Sequence, residues 1–188
     1  MLAQREPVTL RSLVAGTGVS TMAVYTYFDG MTGLWGAVRQ EGFRRLDHRI
    51  GSVSSGSDPV RYLAALGVAY VENALSHPNL YRVMFDATFD LPDPGAADGT
   101  FGHLIAGARR ATEAGRFSPH TDPTDIAFRF WASGHGIVSL AVTGVLGVDD
   151  LRRHAPAMAA ALFIDAGDEP ERARRSVRAA WREVSALR

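Results

Sequence analysis

The sequence contains neither cysteine nor lysine, so all 20 of its basic residues are Arg. Without cysteine there are no disulfides and no thiolate metal sites. The all-Arg basic set, with abundant Ala and Gly, points to a high-GC bacterial genome. Net charge is also lacking: 20 basic and 20 acidic residues cancel, and the pI is near 7.0. No global basic field therefore advertises nucleic acid. No basic-plus-apolar leader opens the chain, and no clean apolar run reaches the ~20 residues that a membrane span needs. A soluble, cytoplasmic protein is expected.

Catalytic patterns are missing too. The six His are isolated, with none paired at i+3 or i+4 and no carboxylate to complete a metal set. Ser54 and Ser55 lie in a small-residue loop without the strand-to-helix elbow of a hydrolase. Asp90, Asp93 and Asp98 are spaced like solvated turn residues. No alternating strand pattern of useful length occurs, hence no Gly-rich phosphate loop after a strand. The expectation is an all-α protein that is not an enzyme, with no catalytic residue, metal or cofactor.

What is present is 188 residues of 46% hydrophobic content, enough for one full core and a small appendage. The stretch Thr9 to Phe28 reads as two short helices around a tight turn. Thr9 caps the first, Leu10, Leu13 and Val14 form its apolar face, and Gly18 stops it. Ser20 or Thr21 caps the second, whose apolar residues include Val24 and Phe28. Its exposed face would carry Thr21, Met22, Tyr25 and Thr26, side chains suited to phosphates and base edges. Such a pair is the helix-turn-helix pattern, whose second helix enters the major groove. Residues 1–50 hold six Arg against four acids, a mild basic bias.

The run Gly18-Val19-Ser20, followed by Val24-Tyr25, Tyr27-Phe28 and Leu34, resembles the DNA-reading motif of the TetR family of transcriptional regulators. The resemblance spans roughly residues 8–46. It implies DNA contact through Arg11, Thr21, Met22, Ala23, Tyr25 and Tyr27, and the capping residues Thr9 and Ser20 complete the candidate set. Two features depart from the family pattern. Met31 stands where most members carry a phosphate-gripping Lys, which removes one counterion-releasing contact. Only Met1 to Val8 precede Thr9, where the family has a first helix. Met1 to Arg5 read as the tail of that helix, so the DNA-binding unit is expected to be N-terminally truncated by a start assigned too late.

Further along, residues 31–48 continue as a helix and 51–57 form a connection. Asp58 and Pro59 open a helix that runs to His77, and Pro78 opens a short one over 79–85. A loop is expected over 88–98 and a helix over about 100–114. Asp122 and Pro123 open the most apolar helix, which is expected to run to about Gly147 and to be buried on both sides. One of its stripes holds Phe128, Trp131, His135, Val138, Val142 and Val145. The other, with gaps for close helix approach, includes Gly134, Ala141 and Gly144. Helices over 151–165 and 170–187 close the chain, the last with Ala173, Val177, Ala180, Val184 and Leu187 inward and Arg172, Arg175, Arg178 and Arg182 outward.

Pro78-x-x-Tyr81-Arg82-x-Met84-Phe85 and Trp131-x-x-x-His135-Gly136 resemble a TetR-type C-terminal domain with Trp, His and Gly in its central helix. That implies a helical domain for ligand binding and dimerisation. The expected division is residues 1–47 for DNA binding and 48–188 for ligand binding and dimerisation. Candidate ligand contacts are Met84, Phe85, Phe89, Phe101, Leu104, Phe128, Trp131 and His135, each of which also has a plain reading as core. The expected partners are double-stranded operator DNA, a small apolar effector, and a second copy paired through the helices at about 123–146 and 170–187. Repression relieved by the effector is one reading. The other is a ligand-binding or scaffold dimer that no longer binds DNA.

Overall fold

The computed structural model describes residues 9–185, with side chains through Arg182. The expected helix tail at Met1 to Arg5 and the inward positions of Val184 and Leu187 lie outside what is described. Among the described residues there are nine helices and no strand. None of the helices is long and apolar enough to cross a membrane.

Helix α1 (Leu10–Val14) is opened by a reciprocal cap: Ser12 N donates to Thr9 Oγ1 at 3.2 Å and Thr9 N to Ser12 Oγ at 3.0 Å. It stops at Ala15, ahead of the expected Gly18, because Gly16 already turns left-handed with φ 76°. Helix α2 (Thr21–Phe28) starts at Ser20, whose Oγ accepts from Ala23 N at 3.1 Å. Its apolar anchor is Val24, the one buried residue of α2, whereas Phe28 stays partly exposed. After a left-handed Asp29 the chain enters α3 (Met31–Gly51), and there α2 and α3 meet very closely. A Cβ at Gly33 would lie 1.7 Å from the Phe28 carbonyl oxygen, so only hydrogen fits.

The remaining helices are α4 (Pro59–Ser76), α5 (Pro78–Met84), α6 (Gly95–Glu113), α7 (Pro123–Val142), α8 (Val148–Asp165) and α9 (Pro170–Ser185). Helix α4 is central, packing on α3, α5, α6, α7 and α9. Its apolar residues run all round it, as a helix buried on every side requires. Three ends differ from the sequence expectation. Helix α6 begins at Gly95, because the Asp93 carboxylate accepts from Gly95 N at 2.8 Å and starts the turn early. Helix α8 begins at Val148, with Asp149 and Asp150 favourably placed in its first turn. Helix α7 ends at Val142 instead of near Gly147: Gly144 turns left-handed, and Val145 N and Leu146 N both close onto the Leu140 carbonyl.

Helix α7 is also not buried on both sides within one chain. Ile126, Phe130, Ile137 and Val138 face the core, while Phe128 is 55% and Leu140 45% exposed. The last helix behaves oppositely. Ala173, Val177 and Ala180 are fully used against the chain's own α4 and α8, and the outer face presents arginines. The exposed large apolar residues at this end of the molecule are Phe128, Leu140, Val145, Val148 and Met158, on α7, its closing turn and α8.

A buried guanidinium ties the helices together. Arg116, between α6 and α7, has a side chain only 1% exposed. Its Nε and Nη2 grip the Asp168 carboxylate at 2.7 and 2.6 Å, in the turn between α8 and α9. Its Nη1 donates to Asp58 Oδ1 at 2.6 Å, and Ser176 of α9 donates to Asp58 Oδ2 at 2.6 Å. Asp58 in turn caps α4 by accepting from Val60 N and Arg61 N. Burial alone would raise the Asp58 carboxyl, but the bonds from Ser176 and Arg61 and the Arg116 charge outweigh it and hold the group below its ordinary value.

Two outcomes follow from this geometry. Arg116→Met leaves the buried Asp168 charge unpaired, so it should destabilise by about 3–5 kcal/mol. For a chain of this size that lowers Tm by about 6–20 °C in a thermal melt. Asp58 has a depressed native pKa, so its stabilisation is full above the ordinary carboxylate value and fades as pH falls through the lower native one. Asp58→Asn should therefore flatten the acid limb of the stability curve; an acid limb as steep as the parent's would contradict the assignment. Separately, Gly33→Ala should loosen α2 from α3, read as faster proteolysis at residues 28–33 with little change in the melting of α4 to α9.

Candidate functional site

Between α3, α4, α6, α7 and α8 lies a cavity of about 320 Å³. Helix α3 contributes Phe43, Leu46 and Ile50, and α4 contributes Leu66, Gly67, Tyr70 and Val71. The far wall is Phe101 and Leu104 of α6 with Phe128, Phe130, Trp131 and Ile137 of α7. Met158 of α8 and Trp181 of α9 complete it. Phe101 meets Trp131 edge to face at 6.3 Å and 75°, and Phe128 meets Trp131 tilted at 6.0 Å and 57°. Gly67 keeps the space open, since a Cβ there would come within 2.6 Å of the Phe130 ring. The size and apolar lining suit a drug-sized molecule with few polar groups.

Five of the eight candidate ligand contacts line this cavity: Phe85, Phe101, Leu104, Phe128 and Trp131. Three do not. Met84 is fully buried against α3, where a Cβ on Gly42 would lie 2.5 Å from its Cγ. Phe89 is turned toward the N-terminal half of α3 and stacks on Trp35 at 5.4 Å. His135 is held aside by a polar knot, its Nδ1 lying 2.9 Å from the Tyr70 hydroxyl and 2.8 Å from that of Tyr81. The two phenols are 3.0 Å apart, and Ser139 Oγ is 3.3 Å from His135 Nε2. Burial pushes the His135 imidazole below its ordinary value and both phenols above theirs, so the knot is neutral. In a neutral imidazole one nitrogen donates and the other accepts, so Nδ1 toward the phenols and Nε2 toward Ser139 play opposite roles. Gly134, expected on a helix-pairing stripe, lines the cavity instead.

Sequence reasoning missed the α3 and α4 walls, Phe43, Leu46, Ile50, Gly67 and Tyr70. Leu46 and Phe43 carried a signal as the buried side of their helix, but nothing in one helix's period distinguishes a cavity wall from packed core.

The eight candidate DNA contacts fall into two groups. Thr9 and Ser20 have their hydroxyls engaged as helix caps, and Thr21 and Ala23 are half buried. Arg11, Met22, Tyr25 and Tyr27 are exposed, Tyr27 to 78% and Met22 to 69%. Met22, Tyr25, Tyr27 and Phe28 of α2, with Val19 just ahead of it, are the exposed large apolar side chains of the N-terminal part.

The loop between α5 and α6 lies across α3 between these regions. Arg39 of α3 donates from Nε to the Met84 carbonyl at 2.9 Å and from Nη1 to the Phe89 carbonyl. Asp93 N donates to Gln40 Oε1 at 3.0 Å, and the Asp90 carbonyl sits against Gly36, 3.3 Å from where a Cβ would be. Among the described residues no group of three or more His, Cys, Asp or Glu side chains is placed to hold a metal ion.

Residues 63–163 match the family described as tetracyclin repressor-like, C-terminal domain. Among solved structures, a protein of unknown function from Rhodococcus sp. RHA1 is 26% identical, with a TM-score of 0.72 over 86% of each chain. TylP, a TetR regulator from Streptomyces fradiae, is 17% identical, with a TM-score of 0.66 over 96% of this chain and 88% of that one. RolR in complex with resorcinol is 19% identical, with a TM-score of 0.59 over 94% and 86%. No protein of curated function matches by sequence.

The polar knot carries a pH signature. His135 is neutral when folded and ordinary when unfolded, so the unfolded chain takes up the extra proton as pH falls below about 6.5. Its stabilisation is full above that value and is lost toward the lower native pKa. Tm measured from pH 8 to 5 should fall less in His135→Gln than in the parent; parallel curves would show that the ring is not held neutral.

Proposed function

Because the chain belongs to the TetR family, we propose that it is a ligand-responsive, DNA-binding transcriptional regulator, a repressor released from its operator by a small apolar molecule. The carrying observation is that α3 serves both ends. Its N-terminal half is joined to α2 through the Gly33 contact, and its C-terminal half walls the cavity with Phe43, Leu46 and Ile50. A ligand pressing on that wall moves the helix from which α2 hangs. On this reading residues 1–47 read DNA, residues 48–188 bind ligand and dimerise, and α3 belongs to both.

Within the reading unit, Tyr25 and Tyr27 grip phosphates, while Arg11 and Thr21 approach base edges. Thr9 and Ser20 act as caps that hold the two helices at the duplex, and Met22 and Ala23 pack on the groove. Met31 favours a second reading, a dimer that binds ligand but not DNA, since an apolar residue there removes a phosphate contact. The test selects a duplex from a random pool with the full chain, then titrates it and a scrambled duplex in gel shifts. Tyr25→Ala and Tyr27→Ala should weaken both duplexes; Arg11→Ala should also relax specificity, by about 1–3 kcal/mol per lost base contact. Failure to enrich any duplex would leave the second reading.

The exposed apolar residues redraw the pairing surface. The last helix has spent its apolar face inside its own chain, so we place the homodimer contact on α7 and α8, through Phe128, Leu140, Val148 and Met158. Two-fold pairing there sets two readers on successive major grooves about 34–36 Å apart, which requires a pseudo-palindromic operator. Leu140→Glu should shift sedimentation toward monomer, whereas Arg178→Glu on the outer face of α9 should not. The opposite pattern would restore α9 as the interface.

A further inference from the structure

We infer that the cavity takes an amphipathic organic cation, an aromatic or alicyclic body carrying one ammonium group. This deepens the proposed function and rests on its reading of the cavity as a ligand site. The inference comes from which charges and hydrogen-bonding atoms reach the wall. No Arg, Lys or His lines the cavity among the described residues, and its one charged side chain is the Asp98 carboxylate of α6. An anionic ligand would therefore bury its charge with no counter-charge and against a like one.

The neutral polar groups point the same way. Thr100 spends its hydroxyl proton on the Ala96 carbonyl at 2.9 Å, and Ser133 spends its own on that of Phe130 at 3.1 Å. The Tyr70 hydroxyl sits in the knot, 3.0 Å from the Tyr81 hydroxyl and 2.9 Å from His135 Nδ1. The Thr100 and Ser133 hydroxyls retain only lone pairs for a ligand, so toward a ligand these two side chains accept and do not donate. The complement is a ligand that donates. The ring faces add the same preference. Asp98 and Phe101 share α6, Phe101 meets Trp131, and Trp131 meets Phe128, so carboxylate and aromatic faces border one space. A cation held within about 6 Å of such faces is attracted by their quadrupoles, most strongly by Trp. Asp98 is exposed, which puts the charged end of the ligand at the mouth and its apolar body inside, toward Leu66 and Ile137.

The test is calorimetric titration of the full chain with three compounds on one apolar body: 1-naphthylmethylammonium, 1-naphthylmethanol and 1-naphthoate. The cation should bind about tenfold tighter than the alcohol, and the carboxylate should bind most weakly. Asp98→Asn should lower the cation's affinity about threefold, and Trp131→Leu should narrow the gap between cation and alcohol. Asp98→Asn alters an exposed position, and its melting curve checks that it folds. If the alcohol or the carboxylate binds as tightly as the cation, or if both variants weaken all three compounds equally, the cation preference is overturned while the cavity stands as a ligand site. If none of the three binds, the cation inference and the ligand-site reading fall together.

Discussion

A single buried guanidinium fixes the geometry on which the rest of the molecule depends. The Arg116 side chain is buried, so its charge must be met inside, and the two carboxylates that meet it come from distant parts of the sequence, Asp58 and Asp168. Asp58 starts α4 and Asp168 turns α8 into α9, so the central helix, the α6–α7 connection and the last helix are fixed to one point. Such a pair adds little net stability against an apolar substitute, but it is unforgiving of misplacement.

The opposite face of the bundle is held by different means. Helix α3 meets the sensor through backbone-directed bonds from Arg39, a Trp35–Phe89 stack and an amide contact from Gln40 to Asp93. These polar contacts are partly exposed, whereas those around Arg116 are buried. Phe85 walls the cavity and also lies in the segment that Arg39 holds, its ring 5.6 Å from Phe43. Under the proposed function, displacing it would move the α5–α6 loop and α3 together. The proposed coupling between cavity and α2 would draw its two-state element from this contrast.

The all-α architecture was legible because it rests on period and caps. Thr9, Ser20, Asp58 and Asp122 all cap where their side chains suggest, and Pro59, Pro78, Pro123 and Pro170 all open helices. Ends set by tertiary or turn chemistry were not legible: Asp93 starts α6 early, and the closure onto Leu140 stops α7 short of Gly147. In the candidate site, large aromatics on α6 and α7 could be picked out by size. The walls from α3 and α4 could not, since a helix period fixes which side is inward but not whether atoms or space lie beyond it. His135 is the clearest case: a polar residue on an apolar stripe suggests a ligand contact, yet Tyr70 and Tyr81 from another helix and its neighbour claim it.

The central claim is that the cavity and α2 report to each other through α3. The most direct measurement takes one compound that raises the chain's Tm and determines its affinity with and without saturating operator duplex. It then determines operator affinity with and without saturating compound. Each should weaken the other by the same factor, about 5–150-fold for a coupling of about 1–3 kcal/mol. Two affinities that do not change, with both molecules bound at once, would contradict it.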